Sequence, residues 1–124
     1  MAELIILPVF SDDRGSLNVI EGLKTINFEI KRIYYMYSIP KDRERGGHRH
    51  KKTIQALICV HGDCKVYIEN EFEQKEFHLN TPDRCLIVRP EDWHTMHSFS
   101  DDAVLLVLAS EYYDKNDYID EKYI

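Results

Sequence analysis

The stretch Arg45-Gly46-Gly47-His48-Arg49-His50 decides how this chain is read. In an extended backbone alternate side chains share a face, so His48 and His50 project side by side and Arg49 points the opposite way. Gly46 and Gly47 let the chain bend sharply and approach a ligand closely. Behind the histidines, residues 53–60 are apolar and strand-like. Two imidazoles facing one cavity carry two common chemistries, metal ligation and proton transfer.

Working outward, short β-prone runs alternate with turn residues along the whole chain. Residues 4–10 read as a first strand, with Pro8 marking an edge position. Residues 11–15 read as a turn and 16–21 as a second strand, and 22–29 read as loop. Residues 31–39 carry Ile33, Tyr34, Tyr35 and Tyr37, which favour strands. Parity puts Arg32 and Tyr34 on one face of that strand and Tyr35 and Tyr37 on the other. Residues 48–60 read as one strand ended by His61-Gly62-Asp63. A hairpin follows, residues 64–68 with 73–79. Residues 85–88, 93–99 and 103–109 are further strands, the last buried on both faces. Residues 111–124, charged and Tyr-rich, are expected as a short helix or a tail packed on the barrel. About nine short strands without a long amphipathic helix predict an all-β sandwich or barrel.

Composition narrows the function. A chain of 124 residues fits one domain, residues 1–124, with a real core. The formal net charge of −6 excludes a general nucleic-acid binder, while leaving room for one anionic small molecule held by local arginines. Cys59, Cys64 and Cys85 form no CxxC pair, which supports neither a zinc knuckle nor a disulfide framework. The first residues lack a signal-peptide pattern, and the apolar run at 103–109 is too short to cross a bilayer. A soluble cytoplasmic protein without membrane or nucleic-acid partners is expected.

Several segments resemble the cupin superfamily, a jelly-roll double-stranded β-helix. Its first motif is matched by Gly46, His48, His50, Gln55 and Gly62, and its second by Pro90-Glu91-Asp92-Trp93-His94. The usual acidic metal ligand is replaced by Gln55, and the second motif is one residue shorter than usual between its proline and histidine. Within the cupins the chain resembles the cofactor-free nucleotide-sugar 3,4-ketoisomerases. The matching pieces are Asp13-Arg14-Gly15-Ser16-Leu17, Ile30-Lys31-Arg32-Ile33-Tyr34-Tyr35, residues 45–52, residues 55–59, Trp93-His94-Thr95-Met96 and residues 104–114. They span nearly the whole chain in family order.

The resemblance implies a substrate, dTDP-4-keto-6-deoxy-D-glucose, and a 3-keto product that feeds 3-amino sugars of bacterial surface polysaccharides. Moving a ketone from C4 to C3 means taking the acidified C3 proton, passing through an enediol and returning a proton to C4. No electrons leave the substrate, so neither a nicotinamide nor a metal is required. By the resemblance His48 moves the carbon-bound proton and His50 handles the proton between the two oxygens. Tyr34 orients a hydroxyl or stabilises the enediolate. Arg14, Arg32 and Arg45 are candidates for the diphosphate and sugar, since guanidinium groups bind phosphate bidentately. His94 is expected at the cavity mouth, and Trp93 either stacks on a ring or fills the barrel. Arg49 is expected to pair with an acidic neighbour or a partner subunit. His61 and His78 are expected to face solvent, and His97 lies opposite His94. The resemblance further implies a homodimer with exchanged N-terminal strands.

Two positions of the resembled family go with the configuration of the product. Gluco-forming members carry a tyrosine before the glycine of the early turn and an arginine after the second-motif tryptophan. Galacto-forming members carry arginine and histidine there. This chain has Arg14 and His94, the galacto combination, which implies dTDP-3-keto-6-deoxy-D-galactose. Alternatives from other classes are a metal-dependent cupin such as a dioxygenase, with His48, His50 and His94 as ligands, and a non-catalytic sugar-binding cupin. A 3,5-epimerase fits less well, for lack of a match to its separate His–Asp pairing.

Overall fold

Three runs, at 55–59, 85–88 and 103–109, are apolar at nearly every position because the strands they form are covered on both faces. The computed structural model describes residues 1–124. With strands numbered in chain order, one antiparallel sheet runs β1 (Glu3–Ile6), β9 (Arg84–Val88), β6 (Gln55–His61), β11 (Val104–Ala109), β4 (Arg32–Tyr37). The second runs β12 (Tyr118–Ile119), β5 (Arg45–His50), β10 (Trp93–His97), β7 (Cys64–Glu69), β8 (Gln74–Leu79). The remaining pair, β2 (Val9–Asp12) and β3 (Gly15–Asn18), forms a hairpin outside both sheets. This is the jelly-roll double-stranded β-helix that the two motifs imply.

Alternation along β6 shows how the core is divided. Leu57 and Cys59 point inward with Val66, Ile68, Leu86, Met96, Phe99, Leu105 and Val107, between the two sheets. Ala56 and Ile58 point outward with Cys85, Ile87 and Leu108, under a cover of Leu7, Ile26 and Phe28. The segment at 22–29 is therefore a lid on the outer face of the first sheet. Its Ile26 and Phe28 are only 3% and 5% exposed, which stabilises the fold by about 1.5–3 kcal/mol for each such side chain.

The sequence reading needs four corrections. There are twelve strands, because two expected strands are each split and the tail adds a short one. Residues 4–10 divide at Leu7-Pro8 into β1 and β2; proline cannot donate to a ladder, so the chain leaves the sheet there. Residues 48–60 divide into β5 and β6, which belong to different sheets. Between them the backbone N–H groups of Lys51 and Lys52 donate to Asp117 instead of to a strand. Finally, the early turn is only Asp13-Arg14, and β3 ends at Asn18. The tail at 111–124 holds one 3₁₀ turn (Lys115–Asp117) and the short β12.

Candidate active site

His48 and His94 face each other across an irregular ladder. In the pairing of β10 with β5, His94 is opposite His48 and Thr95 opposite Gly46, so Gly47 is an extra residue on β5. Such a bulge re-aims side chains at a barrel mouth. Gly46 and Gly47 have φ of +86° and +84°, where a side chain is strained. A Cβ on Gly46 would lie 2.9 Å from the His94 carbonyl oxygen. Glycine thus permits the close approach that brings the two histidine-bearing strands together.

The three imidazoles form one cluster. The ring centroids of His48 lie 5.1 Å from those of both His50 and His94, and one nitrogen of each ring lies within 4.8 Å of the others. Of the three only His48 lines the open cavity. That cavity, about 590 Å³, is walled by Arg32, Tyr34, Arg45, His48, Tyr113 and Tyr118, with Lys115 and Asp120 at the tail side. His50 is 3% exposed and His94 1% exposed, so both lie one layer beneath His48. This corrects the placement of His94: it is in the floor and not at the mouth.

Burial sets the protonation of this cluster. It pulls His48 down to about 4, with the neighbouring His50 adding to the fall, against the opposing pull of Asp120 and a hydrogen bond to Gly46. His94 falls to about 3, again by burial. His50 is lowered by burial, although Asp117 opposes this. The cluster is therefore neutral at pH 7, and His48 is a free base at the cavity wall. Tyr34 is pushed up to about 12, chiefly by burial, so its phenol keeps its proton. The Gln55 amide donates to that phenol oxygen at 2.6 Å. Gln55 is thereby engaged with Tyr34. The three imidazoles alone could hold a divalent cation; the fourth position of the cupin ligand pattern is a poor donor.

Cations dominate the other wall. The Arg32 guanidinium lies over the rings of Tyr34 (5.2 Å) and Tyr113 (5.7 Å), and its Nε is buried without a partner. Arg32, Arg45 and Lys115 give this one cavity a positive lining on a chain of net charge −6.

Arg14 and Trp93 are not on this cavity. Arg14 sits at the tip of the β2–β3 hairpin, 87% exposed and paired with Asp12 at 2.6 Å. Trp93 points away from His94, as alternation along β10 requires. Its Nε1–H donates to the Asp120 carbonyl (3.0 Å), and the Lys122 ammonium lies 4.9 Å from its ring centroid. Trp93 is a clamp on the tail. Arg49 does point away from the histidines, and meets no acid: it donates to the Tyr123 hydroxyl (3.0 Å) and stacks on that ring at 4.4 Å. His61 and His78 face solvent beside Asp102 and Asp63. His97 lies on the far face from His94, beside Glu76 at 3.3 Å.

The sequence reading missed the tail's share of the site. Tyr113, Lys115, Tyr118 and Asp120 line the cavity, and Asp117 bonds His50 at 2.9 Å. The Tyr118 ring lies 4.6 Å from those of both His48 and His50. The one available signal was the spacing of Tyr113, Asp117, Tyr118 and Asp120 in a segment otherwise read as solvated charge.

Comparison with known proteins gives the family. The family model described as "FdtA: WxcM-like, C-terminal" matches residues 1–123. A TDP-4-oxo-6-deoxy-alpha-D-glucose-3,4-oxoisomerase of Aneurinibacillus thermoaerophilus is 47% identical over 108 residues, 87% of this chain and 78% of that protein. QdtA, a sugar 3,4-ketoisomerase of Thermoanaerobacterium thermosaccharolyticum solved with TDP, superposes with a TM-score of 0.94 at 44% identity, over 97% of this chain and 88% of that one. A double variant of QdtA, with a tyrosine changed to arginine and an arginine to histidine, is 46% identical at the same TM-score of 0.94, over 97% and 87% of the two chains. A histidine-to-asparagine variant solved with TDP-4-keto-6-deoxyglucose is 43% identical, again at 0.94 and over 97% and 87%. With a family model covering it almost end to end and a relative nearly half identical, this chain belongs to the FdtA family.

Proposed function

We propose that this chain is a 3,4-ketoisomerase of a TDP-linked 4-keto-6-deoxy hexose, and that its product is the galacto-configured 3-keto sugar. The observation that carries the reading is one cavity walled by a neutral imidazole, a protonated phenol and three cations. Arg32 and Arg45 suit a diphosphate, leaving the hexose to reach inward to His48 and Tyr34. His48 takes the C3 proton, and the electron pair moves onto the C4 oxygen. The Tyr34 phenol donates a hydrogen bond to that developing charge. A proton passes from the C3 hydroxyl to the C4 oxygen, the role given to His50, and His48 returns its proton to C4. One C–H and one O–H bond break and one of each forms, so no electrons leave the sugar. Support for His50 is its Nε2, buried and without any partner.

Arg14 reaches a cavity lined by His48 only if a second copy supplies it. The β2–β3 hairpin pairs with neither sheet and leaves Val9, Phe10 and Leu17 between 48% and 60% exposed. A homodimer exchanging these strands would bury them and carry Arg14 to the partner's site. Sedimentation of the purified protein as a monomer would remove this part of the reading.

The identities to the QdtA variants support the stereochemical assignment. About 120 residues align, so one residue is worth about 0.8 percentage points. Identity rises from 44% to 46% in the double variant and falls to 43% in the asparagine variant. Those steps fit two positions gained and one lost. At a single constant offset the three exchanged positions fall on Arg14, His94 and His48. NMR of the reaction tests both halves: no 3-keto product rejects the isomerase, and a gluco product rejects the roles of Arg14 and His94. Arg14→Tyr combined with His94→Arg is expected to shift product toward gluco.

A further inference from the structure

We propose that Asp117 is a positioning residue that fixes the proton of His50 on Nδ1 and so presents Nε2 as a bare acceptor inside the histidine cluster. The assignment follows from counting donors. Oδ1 of Asp117 accepts from the backbone N–H groups of Lys52 (2.9 Å) and Lys51 (3.2 Å). Oδ2 accepts from the Thr53 hydroxyl and lies 2.9 Å from Nδ1 of His50. An ionised carboxylate only accepts, so the hydrogen of that last bond sits on Nδ1. A neutral imidazole has one N–H, which leaves Nε2 with a lone pair. That Nε2 is buried and has no partner.

Asp117 is well placed to hold its charge. Burial pushes its carboxyl up, but the Thr53, Lys52 and His50 hydrogen bonds outweigh this and leave it below the usual carboxylate range. The residue is 5% exposed. Its location is fixed from both sides. Asp114 caps the 3₁₀ turn before it, accepting from the Asn116 N–H at 2.9 Å, and Tyr118 pairs with His50 in the β12–β5 ladder behind it. His94 repeats the device with a different acceptor: its Nδ1 donates to the Asp92 carbonyl at 3.0 Å, which likewise frees Nε2. The floor beneath His48 is therefore built of two acceptors with no N–H between them.

The catalytic consequence rests on the isomerase reading above, but the tautomer does not. Asparagine at 117 keeps the shape, and its Oδ1 still accepts from Lys51 and Lys52. Its amide, however, now donates to Nδ1 of His50 and moves the ring proton to Nε2. Long-range 15N NMR of the histidine side chains reads this directly. In the wild-type protein at pH 7.5, His50 is expected to show a protonated Nδ1 and an unprotonated Nε2. The reverse pattern overturns the proposal without any turnover measurement. In Asp117→Asn the two signals are expected to exchange character, and kcat to fall roughly a hundredfold, with KM within about threefold. A folded variant that keeps the wild-type tautomer, or that exchanges it and keeps kcat within about threefold, overturns the positioning role. A loss of kcat with no product from the wild-type enzyme either would instead condemn the isomerase reading. Should Asp117→Asn fail to fold, the wild-type spectrum still decides the tautomer.

Discussion

Acidification is the sharpest test of His48 as the base. The group must be neutral to take the C3 proton, and burial holds it near 4 in the free protein. An imidazole at its ordinary value of about 6.5 would be only about 9% neutral at pH 5.5, whereas one near 4 would be about 97% neutral. The acid limb of kcat/KM reports the free enzyme, which is the state described by the structure. Between pH 8 and pH 5.5 kcat/KM should therefore fall by less than about a fifth, against roughly tenfold for an ordinary histidine. Burial lowers the neighbouring His50 as well, and three further groups stay outside that window. His94 stays neutral to about 3, Tyr34 keeps its proton to about 12, and Asp117 is held below the usual carboxylate range.

The same shifts require a control for unfolding. His48 and His94 are harder to protonate folded than unfolded, so below about pH 6.5 the unfolded chain binds protons that the native state refuses. Their contribution to stability is complete above that value and is lost as pH falls toward about 4 and about 3. Enzyme is therefore kept at pH 7.5 and diluted into each assay buffer. Initial rates are taken within seconds, and activity is checked after return to pH 7.5. A reversible acid limb in kcat/KM with its midpoint near 6.5 would refute the assignment of the proton transfer to a buried, neutral His48.

Three further outcomes are expected. His48→Asn should lose about a hundred- to ten-thousand-fold in kcat while TDP binding, followed by calorimetry, stays intact; retention of a tenth of the rate would show that another group is the base. Extended treatment with a chelator should leave the rate unchanged, because the fourth ligand position is a neutral amide already donated to Tyr34; a loss restored by one particular metal would reject the metal-free route. Gly46→Ala should cost about 1–3 kcal/mol, since its φ is +86° and the new Cβ would press on the His94 carbonyl. Thermal unfolding should fall by roughly 5–15 °C, and a Tm within about 2 °C of wild type would contradict the close approach.

What could be read in the sequence was what depends on neighbours along the chain. Alternation put His48 and His50 on one side and Arg49 on the other, and it separated Tyr34 from Tyr35 and Tyr37; the burial pattern of β4 agrees, and on β5 the His48 and His50 rings meet while Arg49 stacks on Tyr123. An apolar run with no alternation marked β11 as covered on both faces; β6 and β9 were marked only as apolar strands, and they too are covered on both faces. Position relative to the cavity was a different matter. Parity said that His94 and Trp93 face opposite ways, but not which of them meets the cavity, nor that the inward one lies under His48. The split at 51–54 was equally hidden. Lys51, Lys52 and Thr53 continue a strand by propensity, and only a carboxylate more than sixty residues away takes their donors out of the ladder.

The tail shows why composition misleads at such a place. A run holding Asp114, Asp117, Asp120, Glu121 and Lys122 has the character of solvated surface. Yet its carboxylate at 117 is 5% exposed, and a second buried acid, Glu69, accepts from the Tyr123 and Ile124 N–H groups at 2.9 and 3.1 Å. Each buried charge is offset by several donors supplied by the other partner, as burial demands. The pairing works only when both sides are present: His50 and the three residues after β5 supply donors for Asp117, and the tail supplies donors for Glu69. Neither half is interpretable alone, which is why the motif histidines could be named from the sequence and their supports could not. The same logic extends to Arg14, whose hairpin has no partner within the chain. Under the proposed strand exchange it would complete a site across a subunit boundary, and such a residue has no local signature in either sequence or monomer. Its exposed apolar neighbours Val9, Phe10 and Leu17 are the surface on which the proposed exchange of strands rests.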